Sequence, residues 1–260
     1  MASSYADKET QVGSIFGTGS NAAYMERCSE IPKLAKHCFP LGASMAINCE
    51  YGAFDNSRTV LPFTDYDESI DSCSPRPGQQ RYEKLVAGFY LGEIFRQVLV
   101  DMSNERSLIF LNQDLSQLKQ PYTLDSSFVA RIETDGSEDL HVSKALFEHV
   151  LSISASSEDL YFCRLLAQLI SQRAARLYSC GIAAIIKKRS LGKCHVAVDG
   201  SVFEKYGGFH DKVMKALGEI LDWPSNSQSD TVKLIPAVDG SSIGAAVVCA
   251  LCRPSGTESQ

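Results

Sequence analysis

The sequence predicts an α/β fold, a mixed sheet flanked by helices, from two observations. Near the N-terminus, three short apolar runs follow one another, as in an antiparallel meander, at residues 12–16, 22–27 and 45–51. In the last third, strand-like runs alternate with helical periodicity, with strands at 194–198 and 232–235 and helices at 211–221 and 243–251. A chain of 260 residues is long enough to form one large domain around such a sheet.

The middle of the chain is predicted to be a loop followed by a helix. Residues 55–80 are rich in Asp, Ser and Pro, which predicts a loop. From Tyr82 to Met102 the apolar residues keep to one face, which predicts a single helix of about five turns. Residues 105–155 mix short helical runs with polar breaks and give no firm prediction.

A long helix is predicted from about Asp159 to Lys188. Ser156 and Asp159 have the spacing of a capping box at its start. The basic trio Lys187-Lys188-Arg189 stands where the helix dipole favours positive charge, so we interpret it as a helix end rather than an anion site.

Composition limits the class of protein. The chain is 44% hydrophobic and 22% charged with a formal net charge of −6, which is typical of a soluble globular protein and disfavours nucleic acid or anionic membrane as partners. The longest apolar stretch, residues 177–186, is too short to span a bilayer.

The nine cysteines are expected to be reduced, mostly buried thiols of a cytoplasmic protein, since their number is odd, their spacing is irregular and no hydrophobic signal segment precedes them. Cys249 and Cys252 have redox or zinc spacing. The simpler interpretation is two small residues on a C-terminal helix, because neither a second cysteine pair nor a nearby histidine completes a site.

The turn Gly17-Thr18-Gly19 is the first candidate site. Glycines let the backbone approach a ligand closely, so backbone N–H groups and the Thr18 hydroxyl could face a phosphate. Taken alone, the same residues also fit a plain β-turn.

A second pattern occurs twice in the last third. A short apolar strand ends in Val-Asp-Gly-Ser before a helix, at residues 198–201 and again at 238–241. In α/β folds ligands bind beyond the carboxyl ends of strands, where helix N-termini attract phosphate. Each turn is a candidate nucleotide contact, although a single Asp-Gly-Ser is usually only a turn.

Several longer motifs are shared with one family. They are Gly17-Thr18-Gly19-Ser20-Asn21-Ala22, Asn48-Cys49-Glu50-Tyr51-Gly52-Ala53-Phe54, Pro75-Arg76-Pro77-Gly78-Gln79-Gln80-Arg81-Tyr82-Glu83-Lys84 and Arg173-Ala174-Ala175-Arg176-Leu177. Together they resemble hexokinases, and Leu118-Lys119-Gln120-Pro121-Tyr122 resembles the fungal branch. The resemblance runs from about residue 4 to residue 251.

The resemblance implies the large lobe of the actin-like ATPase and sugar-kinase (ribonuclease H-like) fold. Residues 1–252 would form this C-terminal hexokinase domain and residues 253–260 a polar tail. The implied activity is transfer of a phosphoryl group from Mg-ATP to the 6-hydroxyl of glucose or a related hexose. Asn21, Glu50 and Glu83 would bind the sugar, since carboxylates and carboxamides can hold vicinal hydroxyls.

The resemblance also implies the nucleotide contacts, which would be Thr18, Gly88, Gly200, Ser201, Gly240, Ser241 and Gly244. Gly88 would lie on the same helix as Glu83. No metal ligand is predicted among the side chains. The family usually has glycine where this chain has Ser242, which lacks the conformational freedom of glycine at that turn.

The family's smaller lobe, with the aspartate that takes the proton from the attacking hydroxyl, would precede Met1, so no catalytic residue is predicted in this chain. Two hypotheses follow. Either the chain is the large lobe of a hexokinase, or it is a non-catalytic hexokinase-like binding or regulatory protein. If the small lobe normally covers the hairpin side, we also expect apolar surface there that promotes self-association.

Overall fold

The structure is a computed structural model that describes residues 2–5, 7–105, 108–224, 231–237 and 240–252. Its centre is a mixed five-stranded sheet in the order β3-β2-β1-β4-β5. The strands are β1 Thr10–Phe16, β2 Ser20–Arg27, β3 Ser44–Asn48, β4 Cys194–Asp199 and β5 Val232–Pro236. The first three strands are antiparallel, while β4 and β5 run parallel to β1. The predicted meander and the mixed sheet are both confirmed.

Nine helices are found in the described residues. They are α1 Asp65–Cys73, α2 Arg81–Val86, α3 Gly88–Val100, α4 Ser126–Glu133, α5 His141–Leu151, α6 Ser157–Lys188, α7 Ser201–Lys205, α8 Phe209–Ile220 and α9 Gly240–Leu251. Short 3₁₀ turns occur at Ala2–Tyr5, Cys28–Glu30, Pro32–Leu34 and Tyr51–Ala53, and a π-helical turn at Asp101–Glu105. Within this part of the chain, no helix combines the length and apolar character needed to cross a membrane.

The main core lies between one face of the sheet and α6 with α8. Alternate residues of β1 are buried, and Phe16 packs with Tyr178 of α6 at 4.5 Å and with Phe209 of α8 at 4.7 Å between ring centroids. The opposite face is less covered, because Ile15 and Met25 are 46% and 41% exposed. The two faces of β1 and β2 therefore differ sharply in burial.

Helix α6 has the ends predicted from the sequence. The Ser156 side chain accepts from the Asp159 amide and the Asp159 side chain accepts from the Ser156 amide, which completes the capping box. At the other end, Arg189 and Lys188 form ion pairs with the buried carboxylate of Glu26 on β2. These two ion pairs therefore hold the C-terminal end of α6 against β2.

The loop predicted for residues 55–80 is wrong in its middle, where α1 lies. Thr64 and Asp67 form a capping box that starts this helix. The acidic residues that suggested a loop occupy its first turn, where they interact favourably with the helix dipole.

The single five-turn helix predicted after Tyr82 is also wrong, because it is interrupted at Ala87. This residue has extended backbone angles (φ −72°, ψ 147°) and separates α2 from α3. The Gly88 amide donates instead to the carbonyl of Gly17, at 2.8 Å. Glu83 and Gly88 therefore lie on different helices.

The cysteines are less buried than expected. All nine are free, but only Cys28, Cys163 and Cys194 are buried, and five are exposed. Cys249 lies on α9 and Cys252 follows it, both exposed.

Candidate functional site

The turn between β1 and β2 packs closely against its neighbours. The Gly17 amide donates to the Gly19 carbonyl at 3.0 Å. A Cβ at Gly19 would lie 2.7 Å from Oε2 of Glu83, and one at Gly17 would lie 3.5 Å from Cα of Gly200. The turn therefore touches α2 on one side and the end of β4 on the other, which a free surface turn does not do.

Asn21 and Glu50 are linked through a third side chain. Nδ2 of Asn21 donates to Oδ1 of Asn48 at 2.6 Å, and Nδ2 of Asn48 donates to Oε1 of Glu50 at 2.7 Å. Glu50 has a left-handed backbone (φ 49°), which turns its side chain back toward β3. Asn48 was not among the predicted site residues, although it lies in the Asn48-Cys49-Glu50 motif.

Glu83 reaches the same place from α2. Its Oε2 accepts the amide hydrogen of Ser20 at 2.9 Å, one residue before Asn21. Gln80, also left-handed (φ 52°), places its side chain against Gly52 in the turn that follows Glu50. The three predicted sugar residues are thus held around one turn, with Gln80 beside them as a second residue that the sequence prediction missed.

Two buried hydroxyl groups, those of Tyr178 and Ser14, connect the residue after this turn to α6. The Tyr178 hydroxyl donates to Oγ of Ser14 at 2.8 Å, and that hydroxyl donates to the Asn21 carbonyl at 3.0 Å. Burial raises the pKa of the neighbouring Tyr51 to about 12, so this phenol is neutral at physiological pH. The backbone of Asn21 is therefore tied to α6.

A separate pocket of about 210 Å³ lies on the other side of the turn. Its walls include Gly17, Thr18, Gly88 and Ser201, together with Phe89, Asp125 and Ser126. Helices α3 and α7 begin at this pocket, and Asp125 caps the start of α4 there by accepting the Phe128 amide at 2.9 Å. Helix N-termini carry partial positive charge, which suits a phosphate group.

Gly88 in this pocket and Gly200, which precedes its Ser201, cannot carry a side chain without rearrangement. A Cβ at Gly88 would overlap Val202 and lie 2.8 Å from the Gly17 carbonyl oxygen. Gly200 has a φ of +134°, and a Cβ there would overlap the Phe16 carbonyl. These glycines bring the start of α3, the end of β4 and the turn into contact.

The second Asp-Gly-Ser region lies apart from this pocket. Gly240 lines a pocket of about 190 Å³ on the opposite sheet face, together with Asp199 and Asn21. Ser241 and Gly244 belong to α9, and Asp239 lies outside the described residues. Ser242 is exposed within the helix, where a left-handed backbone is not required.

A 3-2-1-4-5 sheet of this kind, with a Gly-Thr-Gly turn between β1 and β2 and helices that begin at the pocket beside this turn, defines the actin-like ATPase and sugar-kinase class of fold. Comparison with known proteins narrows the class. The family model described as "Hexokinase" matches residues 11–251, and the chain belongs to the hexokinase family.

The relatives give the extent of the similarity. The chain is 54% identical to a hexokinase of Emericella nidulans over 96% of its own length and 51% of that protein's, and 49% identical to hexokinase-2 of Saccharomyces cerevisiae over 97% and 53%. A solved structure, hexokinase from Schistosoma mansoni complexed with glucose, matches with a TM-score of 0.85 at 30% identity over 96% of this chain and 55% of that one. The chain thus spans about half the length of the relatives it matches.

Proposed function

We propose that this chain forms the large-lobe half of an ATP-dependent hexose kinase, which transfers the γ-phosphoryl group of Mg-ATP to the 6-hydroxyl of glucose or a related hexose. One observation carries the proposal. In the β1–β2 turn Thr18 lines the pocket at the start of α3, Ser20 donates its amide to Glu83, and Asn21, three residues after Thr18, is linked through Asn48 to Glu50. A single turn would therefore hold the acceptor hydroxyl and the phosphate chain next to each other, and positioning is the main requirement of phosphoryl transfer.

The proposed sugar-binding half of this site consists of carboxylate groups whose orientations are fixed by hydrogen bonds. Glu50 is held by the Asn48 amide and Glu83 by the Ser20 amide, so each carboxylate keeps its second oxygen for a ligand. A carboxylate oxygen can accept hydrogen bonds from neighbouring sugar hydroxyls, and such charge-assisted bonds are stronger than neutral ones. Glucose, mannose, fructose and glucosamine share hydroxyls of this kind.

The nucleotide half would use the pocket beside Thr18. The N-terminal end of α3 and the Thr18 and Ser201 hydroxyls would face the phosphates, which magnesium would accompany as part of the substrate. In addition, Gly200, Gly240, Ser241 and Gly244 are proposed as nucleotide contacts on the family pattern. The proposal assigns no catalytic base to these 260 residues.

The alternative is a hexokinase-like protein that binds without catalysis. A coupled assay of glucose-dependent ADP release, with calorimetric titration of glucose and ATP, separates the two. Turnover that Glu83→Ala abolishes would exclude the non-catalytic alternative. Binding of both ligands without turnover would support the binding assignments under either hypothesis, and glucose binding unchanged in Glu83→Ala would contradict the sugar assignment. Glu148→Ala, an exposed acid on α5, is the matched control and should leave binding unchanged.

We also propose a cytoplasmic location and a surface that can self-associate. Five of the nine thiols are exposed and free, which suits a reducing compartment. The net charge of −6 gives no reason to expect a nucleic-acid partner. The partly exposed sheet face carrying Ile15 and Met25 is the surface on which self-association would occur.

A further inference from the structure

Helix α2, which carries Glu83, is too short to hold its own orientation. It has only six residues, and isolated helices of this length are unstable in water. Its orientation must therefore come from contacts of its side chains. The Tyr82 hydroxyl donates to the Leu177 carbonyl of α6, and Leu85 and Val86 are buried in the core. These contacts fix one side of the helix.

The side toward α1 is fixed by a buried ammonium group. Nζ of Lys84 lies 2.6 Å from Oδ1 of Asp71, 2.8 Å from Oγ of Ser74 and 2.8 Å from the Arg76 carbonyl oxygen. These three acceptors use the three hydrogens of the ammonium group. The whole Lys84 residue is 5% exposed and Asp71 is 4% exposed, so water hardly competes for these bonds.

Asp71 organises the rest of the loop. Its Oδ2 accepts the Gly78 amide at 2.9 Å and pairs with Nη2 of Arg81 at the same distance. Burial opposes ionisation of Asp71, yet the Lys84 ammonium and the Gly78 amide hold its pKa below the usual value. Asp71 therefore joins α1, the loop at residues 74–80 and the start of α2.

We propose that Asp71 and Lys84 are positioning residues for hexose binding. Their ion pair fixes the loop at residues 74–80 and the orientation of α2, and so places Gln80 against Gly52 and Glu83 against the Ser20 amide. Neither residue touches the sugar in this arrangement. The inference rests on the proposed function, since it concerns the carboxylate assigned to the hexose.

Lys84→Met tests the inference, because methionine has a similar volume but no charge. We expect the dissociation constant for glucose to rise between about ten- and a hundredfold, as for other misplaced binding groups, while that for ATP stays unchanged. Amide hydrogen exchange should become faster at residues 74–86 only, which are the loop and α2 that the ion pair holds. Arg176→Met, which removes an exposed ion pair with Glu219, should change neither affinity.

Two further variants separate positioning from general destabilisation. Val213→Ala on α8 weakens the core away from the site, so a Lys84→Met variant that loses glucose and ATP affinity in the same proportion as Val213→Ala would overturn the inference. Ser74→Ala removes one acceptor of Lys84 and leaves the ion pair intact. We expect Ser74→Ala to raise the dissociation constant for glucose too, but by a smaller factor than Lys84→Met. If Lys84→Met does not fold, the result for Ser74→Ala tests the inference by itself.

The same measurements distinguish a wrong proposed function from a wrong positioning role. If the unmodified chain binds no glucose, the sugar assignment is wrong, while hydrogen exchange still decides the positioning role. Unchanged exchange at residues 74–86 in both Lys84→Met and Ser74→Ala would overturn it.

Discussion

Gly88 joins the proposed nucleotide pocket to the β1–β2 turn, and a single methyl group tests this contact. In Gly88→Ala the new Cβ would overlap Val202 and press on the Gly17 carbonyl. Val202 is β-branched and the carbonyl is backbone, so neither yields easily. We expect ATP affinity to fall about tenfold or more, because the turn carrying Thr18 must shift, and stability to fall by about 1–3 kcal/mol.

Fluorescence titration with a nucleotide analogue, together with urea unfolding, measures both effects. Gly136→Ala is the matched control, because nothing lies within 4 Å of its Cβ position. Equal nucleotide affinity in the two variants would show that the Gly17–Gly88 contact does not shape the pocket.

At the scale of single residues, the sequence predicts which residues lie close together better than it predicts the contacts between them. Asn21, Glu50 and Glu83 stand in long motifs, and the structure brings all three around one turn. Asn48 and Lys84 stand in the same motifs but were not singled out. Their role depends on hydrogen bonds to residues that are distant in sequence or on another element, such as Asn21 and Asp71, which spacing alone does not reveal.

Among the elements, those whose signals are local agree best with prediction. The capping box of α6 lies within four residues and is confirmed. The interruption at Ala87 was missed, because residues 82–102 keep a helical apolar pattern and the reason for the break is a tertiary bond from Gly88 to Gly17. Helix α1 was missed because its acidic first turn resembles a loop in composition.

The start of α5 gives a pH-dependent prediction. Oδ2 of Asp135 accepts the amide and the hydroxyl of Ser143, each at 2.7 Å. Burial opposes ionisation, but hydrogen bonds from Ser137 and Ser143 lower the pKa of Asp135 from 3.8 to about 2. A depressed carboxylate pKa stabilises the fold above the unfolded pKa, and this contribution disappears as the pH falls through the folded pKa.

Asp135→Asn should therefore lower the free energy of unfolding by about 2 kcal/mol near neutral pH. Its difference from the unmodified chain should shrink as the pH falls from about 4 to about 2. Urea titrations across this range measure the change, with Glu138→Gln, an exposed acid in the same loop, as the control. A difference that stays constant with pH would mean that ionisation of Asp135 is not involved.

For the whole molecule, the uneven coverage of the sheet predicts association. Ile15 and Met25 are exposed on the face opposite α6, and Ile243 and Val248 of α9 are also exposed. Replacing Ile15 by Ser should leave the core intact and weaken self-association by about three- to tenfold, since full burial of such a side chain contributes about 1.5–3 kcal/mol and Ile15 is already about half buried.

Sedimentation velocity over a range of concentrations measures this association. Leu169→Ser, which removes a similarly apolar but more exposed side chain from α6, should have no effect. A chain that stays monomeric at high concentration, with or without Ile15, would contradict the prediction.

The one-residue interruption at Ala87 has a consequence for how this molecule can change. Glu83 precedes it and faces the proposed hexose, while Gly88 follows it and faces the proposed nucleotide pocket. The short segment between them acts as a spacer of fixed length between the two substrates. Adding or deleting one residue there would rotate one half of the site relative to the other, so the length of this segment is constrained as strongly as its buried side chains.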